Sequence, residues 1–242
     1  MIRLFHVSDI HFGAEDSAAL AWFADCVHRE QPDAVIVTGD LTMRARAREF
    51  AAAGAWLSGL GCPVTVEVGN HDLPYFNPLA RTFRPYARHD RLARMIDRPL
   101  AIAGIHIVPL RTTARFQWRL NWSKGKVSQE QLSRALARIE SAPAGATILV
   151  VAHHPLIEMG TRGTAHTRGG ASALAALVTA GAQAVLTGHV HDAFDVAYPV
   201  LDRTVRLIGA GTLSERVRDS RPSFNALRID SGQLDVSVRE MA

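Results

Sequence analysis

Ala34-Val35-Ile36-Val37-Thr38-Gly39-Asp40 is the stretch on which the fold turns. Its four apolar residues leave no polar face, which suits a strand covered on both sides in a parallel sheet. The run ends on a glycine and then an acid. The same arrangement, apolar run followed by a short donor-rich cluster, recurs at Asp9-Ile10-His11, Gly69-Asn70-His71-Asp72, Ala152-His153-His154-Pro155 and Gly188-His189-Val190-His191. Five strand ends therefore deliver two carboxylates, a carboxamide and several imidazoles.

Working outward, Leu4–Ser8 reads as a first strand. A helix over Ser17–Glu30 carries Leu20, Phe23, Ala24 and Val27 on one stripe, with Asp16 as N-cap. A second helix covers about residues 44 to 58, and Val64–Val68 completes a βαβ progression. Residues 73 to 98 read as a long connection with short helical pieces, and Leu100–Leu110 as two strands turning at Gly104. Ser128-Gln129-Glu130-Gln131 fits a capping box opening a helix to about Glu140. Beyond it come a strand at Thr147–Ala152, a loop over residues 156 to 170, a helix at about 171 to 180 and a strand at Ala184–Thr187. Strands at Phe194–Val200, Val205–Ile208, Phe224–Ile229 and Leu234–Val238 follow, with Ser231-Gly232 as a hairpin turn. The expectation is α/β, a single domain over residues 1 to 242, with two sheets and the helices outside.

At 242 residues, 48% hydrophobic and 21% charged, the composition is that of an ordinary soluble globular domain. The first residues run directly into Asp9 and His11, so a cleaved signal peptide is not expected, nor is any apolar stretch long enough to span a membrane. Cys26 and Cys62 match no metal-binding spacing and are expected as free thiols in a reducing, cytoplasmic setting. The net charge of +4 comes almost wholly from arginine, since Lys124 and Lys126 are the only lysines, and is read as an Arg-rich surface. Nucleic acid is accordingly not the expected partner.

Oxygen and imidazole donors without thiolate suit a pair of transition-metal ions, with Mn, Fe, Zn and Co all compatible. Asp9 and His11, at i and i+2 of what reads as an extended segment, would point the same way and serve one ion. His189 and His191 repeat that spacing. Asp40 is the candidate bridging carboxylate, Asn70 offers an amide oxygen and His153 an imidazole. Two dications against Asp9, Asp40 and a hydroxide leave a net positive pocket that attracts phosphate. His71 would then protonate a leaving alkoxide, with Asp72 orienting it.

The ordered set D-x-H, G-D, G-N-H-D, H and G-H-x-H resembles the calcineurin-like metallophosphoesterases, almost from end to end of the chain. The resemblance implies a four-layer αββα sandwich of two mixed sheets. It implies that Asp9, His11 and His191 hold one metal and Asn70, His153 and His189 the other. Asp40 would bridge the two ions, and His71 would act as acid or phosphate-binding residue. Gly39-Asp40-Leu41-Thr42 and the segment from Gly211-Thr212 through Ser223-Phe224-Asn225 resemble the bacterial class III cyclic nucleotide phosphodiesterase branch. Members of that branch commonly carry Leu-Asp-Ser where this chain reads Leu110-Arg111-Thr112. The implied activity is hydrolysis of cyclic AMP-like or other small phosphodiesters by a metal-bridging hydroxide, with Mn or Fe as the preferred ions. A phosphomonoesterase, a DNA exonuclease and a non-catalytic scaffold are the alternatives.

The remaining residues get plainer readings. His28, His89 and His106 are taken as core or surface residues, His6 as packing, and His154 as supporting its neighbour rather than binding metal. His166 is read as part of a surface loop. Arg81, Arg84, Arg88, Arg91, Arg94 and Arg98 form a solvated helical face. Among Arg111, Arg115, Arg162 and Arg168 one is expected near substrate. Phe116, Trp118 and Trp122 anchor their loop or a homodimer interface.

Overall fold

A computed structural model of the protein describes residues 1–96, 102–114, 123–217 and 220–242. The first sheet is built from β1 (Ile2–Val7), β2 (Ala34–Val37), β3 (Val64–Val66), β9 (Ser223–Asp230) and β10 (Gln233–Glu240), in the order β10-β9-β1-β2-β3. The second uses β4 (Ile105–Pro109), β5 (Thr147–Val151), β6 (Ala184–Thr187), β7 (Phe194–Val200) and β8 (Arg203–Gly209), in the order β4-β5-β6-β8-β7. Strands β1, β2 and β3 run parallel, as do β4, β5, β6 and β8, while β9, β10 and β7 pair antiparallel. Both sheets are therefore mixed, and a helix crosses over between the parallel pairs β1–β2, β2–β3, β4–β5 and β5–β6.

Alternation along the central strands assigns the layers. Leu4, Ala34 and Ile36 meet Leu149, Val151, Ala184, Leu186 and Ile208 between the sheets. Their neighbours Phe5, Val7, Val35 and Val37 face the other way, against Phe23 and Val27 of α1 (Ser17–Glu30) and Phe50 and Leu57 of α2 (Ala47–Gly59). Val150 and Val185 likewise pack on Ala135 and Ile139 of α5 (Gln129–Glu140) and on Leu174 and Leu177 of α6 (Gly170–Thr179). Period-two side-chain direction thus converts each fully apolar strand into contacts with two layers, giving the αββα order.

Asp16 caps α1 through bonds from the amides of Ala18 and Ala19, and Ser128 Oγ accepts from the Gln131 amide at the start of α5. Helix α2 begins later than its periodicity suggests. Ala45 sits at φ 52°, and Glu49 Oε2 takes the amides of Arg44 and Arg46 to close the end. The connection after β3 forms α3 (Pro78–Phe83) and α4 (Ala87–Ile96). Of the two strands expected across Leu100–Leu110, the described residues supply one, β4, after a turn at Ala103 and Gly104; Ile102 lies in no strand, and Leu100 and Ala101 lie outside the described residues. The Ser231-Gly232 hairpin forms as expected, with φ of 49° and 80°. Among the described residues no helix is long and apolar enough to cross a membrane.

Candidate metal centre

The donor clusters lie in the loops that leave the C-terminal ends of β1, β2, β5 and β6 and follow β3, so both sheets feed one place. The loops after β1 and β2 run side by side through backbone bonds from Asp9 N to Gly39 O, His11 N to Asp40 O and Phe12 N to Leu41 O. Asp9 and His11 are not in extended backbone, contrary to their reading from i, i+2 spacing. Both have positive φ, 55° and 52°, as do Asp40, His189 and His191 at 51°, 70° and 62°. The strands have already ended, and alternating left-handed residues turn the side chains inward instead. Such conformations cost on the order of 1–3 kcal/mol each and concentrate at functional sites. Two glycines are obligatory here. A Cβ on Gly69 would collide with the Asp40 amide and carboxylate, and one on Gly188 with Ser8 Oγ and Asp9 Oδ2.

Two groups of donor atoms result. In the first, Asp9 Oδ1 lies 3.1 Å from His191 Nε2 and 3.7 Å from His11 Nε2, and the two imidazole nitrogens are 3.3 Å apart. In the second, His153 Nε2 lies 3.1 Å from Asn70 Oδ1 and 3.4 Å from Asp40 Oδ2. Asp40 Oδ2 also stands 3.9 Å from His11 Nε2, so one oxygen borders both groups, while Oδ1 is occupied by the His71 amide at 2.8 Å. His189 joins the second group through its ring, 5.1 Å from that of His153, and its amide donates to Asp9 Oδ2.

The hydrogen bonds behind these rings fix what faces inward. His153 Nδ1 donates to Thr38 O at 2.7 Å and His191 Nδ1 to Arg216 O at 3.0 Å, since a carbonyl only accepts. In the neutral imidazoles the Nε2 atoms therefore present lone pairs, pointed at carboxylate and amide oxygens that also present lone pairs. Acceptors facing acceptors at 3.1–3.9 Å is the spacing of ligands around a cation. Asp9 Oδ1 and His11 Nδ1 are buried without hydrogen bonds. Without a metal the conflict is relieved by protons. Burial opposes a charge on His153, but the Asp40 carboxylate outweighs it and lifts the imidazole to about 9. For His11 burial prevails and lowers it to about 3. Burial also opposes charge on Asp40, yet the neighbouring His153 holds its carboxyl well below the usual range. These residues fit a binuclear centre.

Asp72 does not orient His71, contrary to its expected role. Its carboxylate accepts from the amides of Leu41, Thr42 and Gly69 and from Thr42 Oγ1, at 2.9–3.2 Å. It therefore ties the Asp40 loop to the Asn70 loop. The His71 ring is set by Met43 O, 2.8 Å from Nδ1. His154 has both nitrogens committed, to Thr112 Oγ1 and Ser123 O at 2.8 Å each, and supports rather than binds. Thr112 of Leu110-Arg111-Thr112 is thus a structural partner. Arg111 turns away, toward Asp90 and the Tyr86 ring.

Other readings resolve as follows. His6 is buried between Thr38 and Asn225. Arg81 is buried and bonds Pro74 O, so it leaves the solvated face formed by Arg84, Arg88, Arg91 and Arg94. His166 is exposed beside Glu158. Arg98, Arg115, Phe116, Trp118 and Trp122 lie outside the described residues. Both cysteines are free and away from the donor groups.

A cleft of about 240 Å³ opens over the centre, lined by Asp40, Asn70, His71, His189 and His191 and by Ser123, Lys124, Arg162, Gly163, Thr164 and Arg216. Of the loop arginines singled out in the sequence, Arg162 reaches it. Arg216 was missed, because no local pattern distinguishes it and only tertiary folding brings the β8–β9 loop here.

Residues 2–193 match the family model described as calcineurin-like phosphoesterase. A 92-residue segment is 35% identical to the glycerophosphodiester phosphodiesterase GpdQ of Enterobacter lignolyticus (strain SCF1), covering 31% of this chain and 33% of that protein. The match thus spans about a third of the relative's length. A dimetal phosphatase from Danio rerio shares the fold with a TM-score of 0.67 at 12% identity, over 99% of this chain and 96% of that one. The purple acid phosphatase PPD1 from yellow lupin (Lupinus luteus) does so with 0.68 at 11%, over 99% and 51%. Since that family model spans most of its length and the aligned strand ends converge on donor groups fit for two ions, the chain belongs to the calcineurin-like phosphoesterase family.

Proposed function

We propose that this protein is a phosphodiesterase acting on small phosphodiesters, with cyclic AMP-like nucleotides as the first substrates to test. The observation that carries the reading is the single Asp40 oxygen bordering both donor groups. In this reading Asp9, His11 and His191 would hold one ion, Asn70, His153 and His189 the other, and Asp40 would serve both. Mn and Fe are the preferred occupants, with Zn or Co as alternatives. When bound, the two ions supply charge neutralisation and a nucleophilic hydroxide near neutral pH.

The chain's own residues do the rest. Thr38 O and Arg216 O fix the His153 and His191 tautomers that turn lone pairs inward. His71 Nδ1 donates to Met43 O, so Nε2 faces the cleft; as the imidazolium the ring delivers its Nε2 proton to the departing alkoxide and returns to neutral imidazole. The diester preference is supported by the segment similar to GpdQ. The free thiols suit a cytoplasmic setting.

The test is hydrolysis of bis(p-nitrophenyl) phosphate against p-nitrophenyl phosphate by the manganese-loaded protein, followed by cyclic AMP, with Asn70→Ala as control. Diester preference that disappears in Asn70→Ala is the expected result. Monoester preference overturns the diesterase assignment. Absence of turnover with two ions bound overturns the hydrolase.

A further inference from the structure

Among the described residues Arg216 is a cation without an anion. Its Nη1 lies 3.2 Å from His71 Nε2, 3.4 Å from His11 Nε2 and 3.9 Å from Met43 Sδ. Among the described residues no carboxylate pairs with this guanidinium. Charged groups drawn into a cleft are normally paired, because they give up part of their hydration on entering it. The pairing is also one that a metal disturbs. His11 Nε2 has one lone pair, aimed with Asp9 and His191 at the first candidate ion position. With an ion held there, that lone pair would be engaged and the guanidinium would stand beside added positive charge, with His71 as its remaining nitrogen partner. An anion in the cleft removes the conflict.

The residue is held for such a task. Thr212 Oγ1 donates to Asp9 O at 2.6 Å and lies 2.7 Å from Ser214 Oγ, which accepts the Arg216 amide at 3.3 Å. The Arg216 carbonyl fixes His191. The backbone that carries Arg216 is thus tied to two donor residues, while its side chain reaches into the cleft beside His71.

We propose that Arg216 is a substrate-binding residue that grips the phosphoryl oxygens of the ester being cleaved. This rests on the reading of the site as a hydrolytic metal centre. A guanidinium presents a planar fork matched to two phosphate oxygens, which an ammonium does not. Its value grows during reaction. A diester is a monoanion. As hydroxide forms its P–O bond and the P–O bond to the alkoxide breaks, the phosphoryl oxygens gain negative charge, and a proton carried on His71 Nε2 in the imidazolium form passes to the alkoxide, leaving neutral imidazole. A fixed cation beside those oxygens binds that charge more tightly than the ground state, so its loss falls mainly on kcat.

The experiment compares Arg216→Gln and Arg216→Lys with wild type, all manganese-loaded. Calorimetry follows binding of Mn²⁺ and then of inorganic phosphate; kinetics follow bis(p-nitrophenyl) phosphate. For Arg216→Gln we expect wild-type Mn²⁺ stoichiometry with equal or tighter affinity, at least ~10-fold weaker phosphate binding, and kcat lower by ~10²–10³-fold with KM changed far less. Arg216→Lys should recover only part of the phosphate affinity. Wild-type phosphate affinity and turnover within ~3-fold in Arg216→Gln would show that the side chain merely packs on Met43, and would overturn the proposal. Loss of Mn²⁺ from that variant would overturn it too, by making Arg216 a support of the metal site. A wild-type protein that binds Mn²⁺ and phosphate without turnover refutes the hydrolase reading alone, since the calorimetric comparison still decides the role of Arg216.

Discussion

Replacing Asp72 with asparagine separates a role in joining loops from a role in catalysis. The buried carboxylate accepts two bonds on each oxygen: the Thr42 amide and hydroxyl on Oδ1, the Leu41 and Gly69 amides on Oδ2. An asparagine amide keeps one oxygen, so either orientation sets an NH₂ against a buried backbone N–H. Charge-assisted bonds contribute about 1.5–3 kcal/mol each, and an unmet buried donor costs a similar amount. Losing the two on one oxygen amounts to about 3–6 kcal/mol. For a chain of this length that lowers Tm by roughly 6–24 °C, taking about 2–4 °C per kcal/mol. The assay is thermal unfolding with a chelator present, which keeps metal loss from confusing the result, together with Mn²⁺ titration of the folded protein. Weaker Mn²⁺ binding is expected as well, because Asp40 and Asn70 lie in the two loops that Asp72 joins. If Asp72→Asn instead melts within ~1 °C of wild type and loses only turnover, the loop-tying account is wrong and Asp72 does serve His71.

Further predictions concern the same region. In the chelated protein the protonated His153, lifted to about 9 by Asp40, stabilises fully below its unfolded value near 6.5 and loses that contribution as pH rises through about 9. Thermal stability in chelator should therefore fall between pH 6.5 and 9.5, and Mn²⁺ binding at pH 7.5 should release protons, seen as a buffer-dependent enthalpy in calorimetry. Thr112→Val removes both the acceptor for the His154 amide and the donor to its Nδ1; a loss of about 1–3 kcal/mol in denaturant unfolding is expected. Gly69→Ala drives a methyl into the Asp40 carboxylate, so Mn²⁺ stoichiometry should fall below that of wild type when measured on the folded fraction. Unchanged stoichiometry there would mean that the loops adjust freely.

The strands, their layering and the identity of the donor residues were legible in the sequence because each is a local matter. Four apolar residues before Gly39-Asp40 require cover on both faces wherever they lie, and a helix stripe such as Leu20, Phe23 and Val27 needs only its own period. The regular backbone hid the turns that matter most. Spacing of i, i+2 suggested extended backbone at Asp9 and His11, whereas left-handed residues beyond the strand end make that turn, held by bonds to the Gly39 and Asp40 carbonyls of another strand's loop. Adjacency likewise suggested that Asp72 serves His71, but a buried carboxylate takes the strongest donors within reach, and those are amides some thirty positions earlier.

By itself, then, the sequence determined which side chains stand at the ends of which strands, since hydrophobic periodicity and backbone punctuation act over a few residues. Only the tertiary structure decided how they are used. It brought one oxygen of Asp40 between two groups of lone pairs, chose the imidazole tautomers through the carbonyls of Thr38 and Arg216, and carried Arg216 to His71 across 145 residues of chain. Those are distances and charges between remote segments, and they exist only once the sheets have packed.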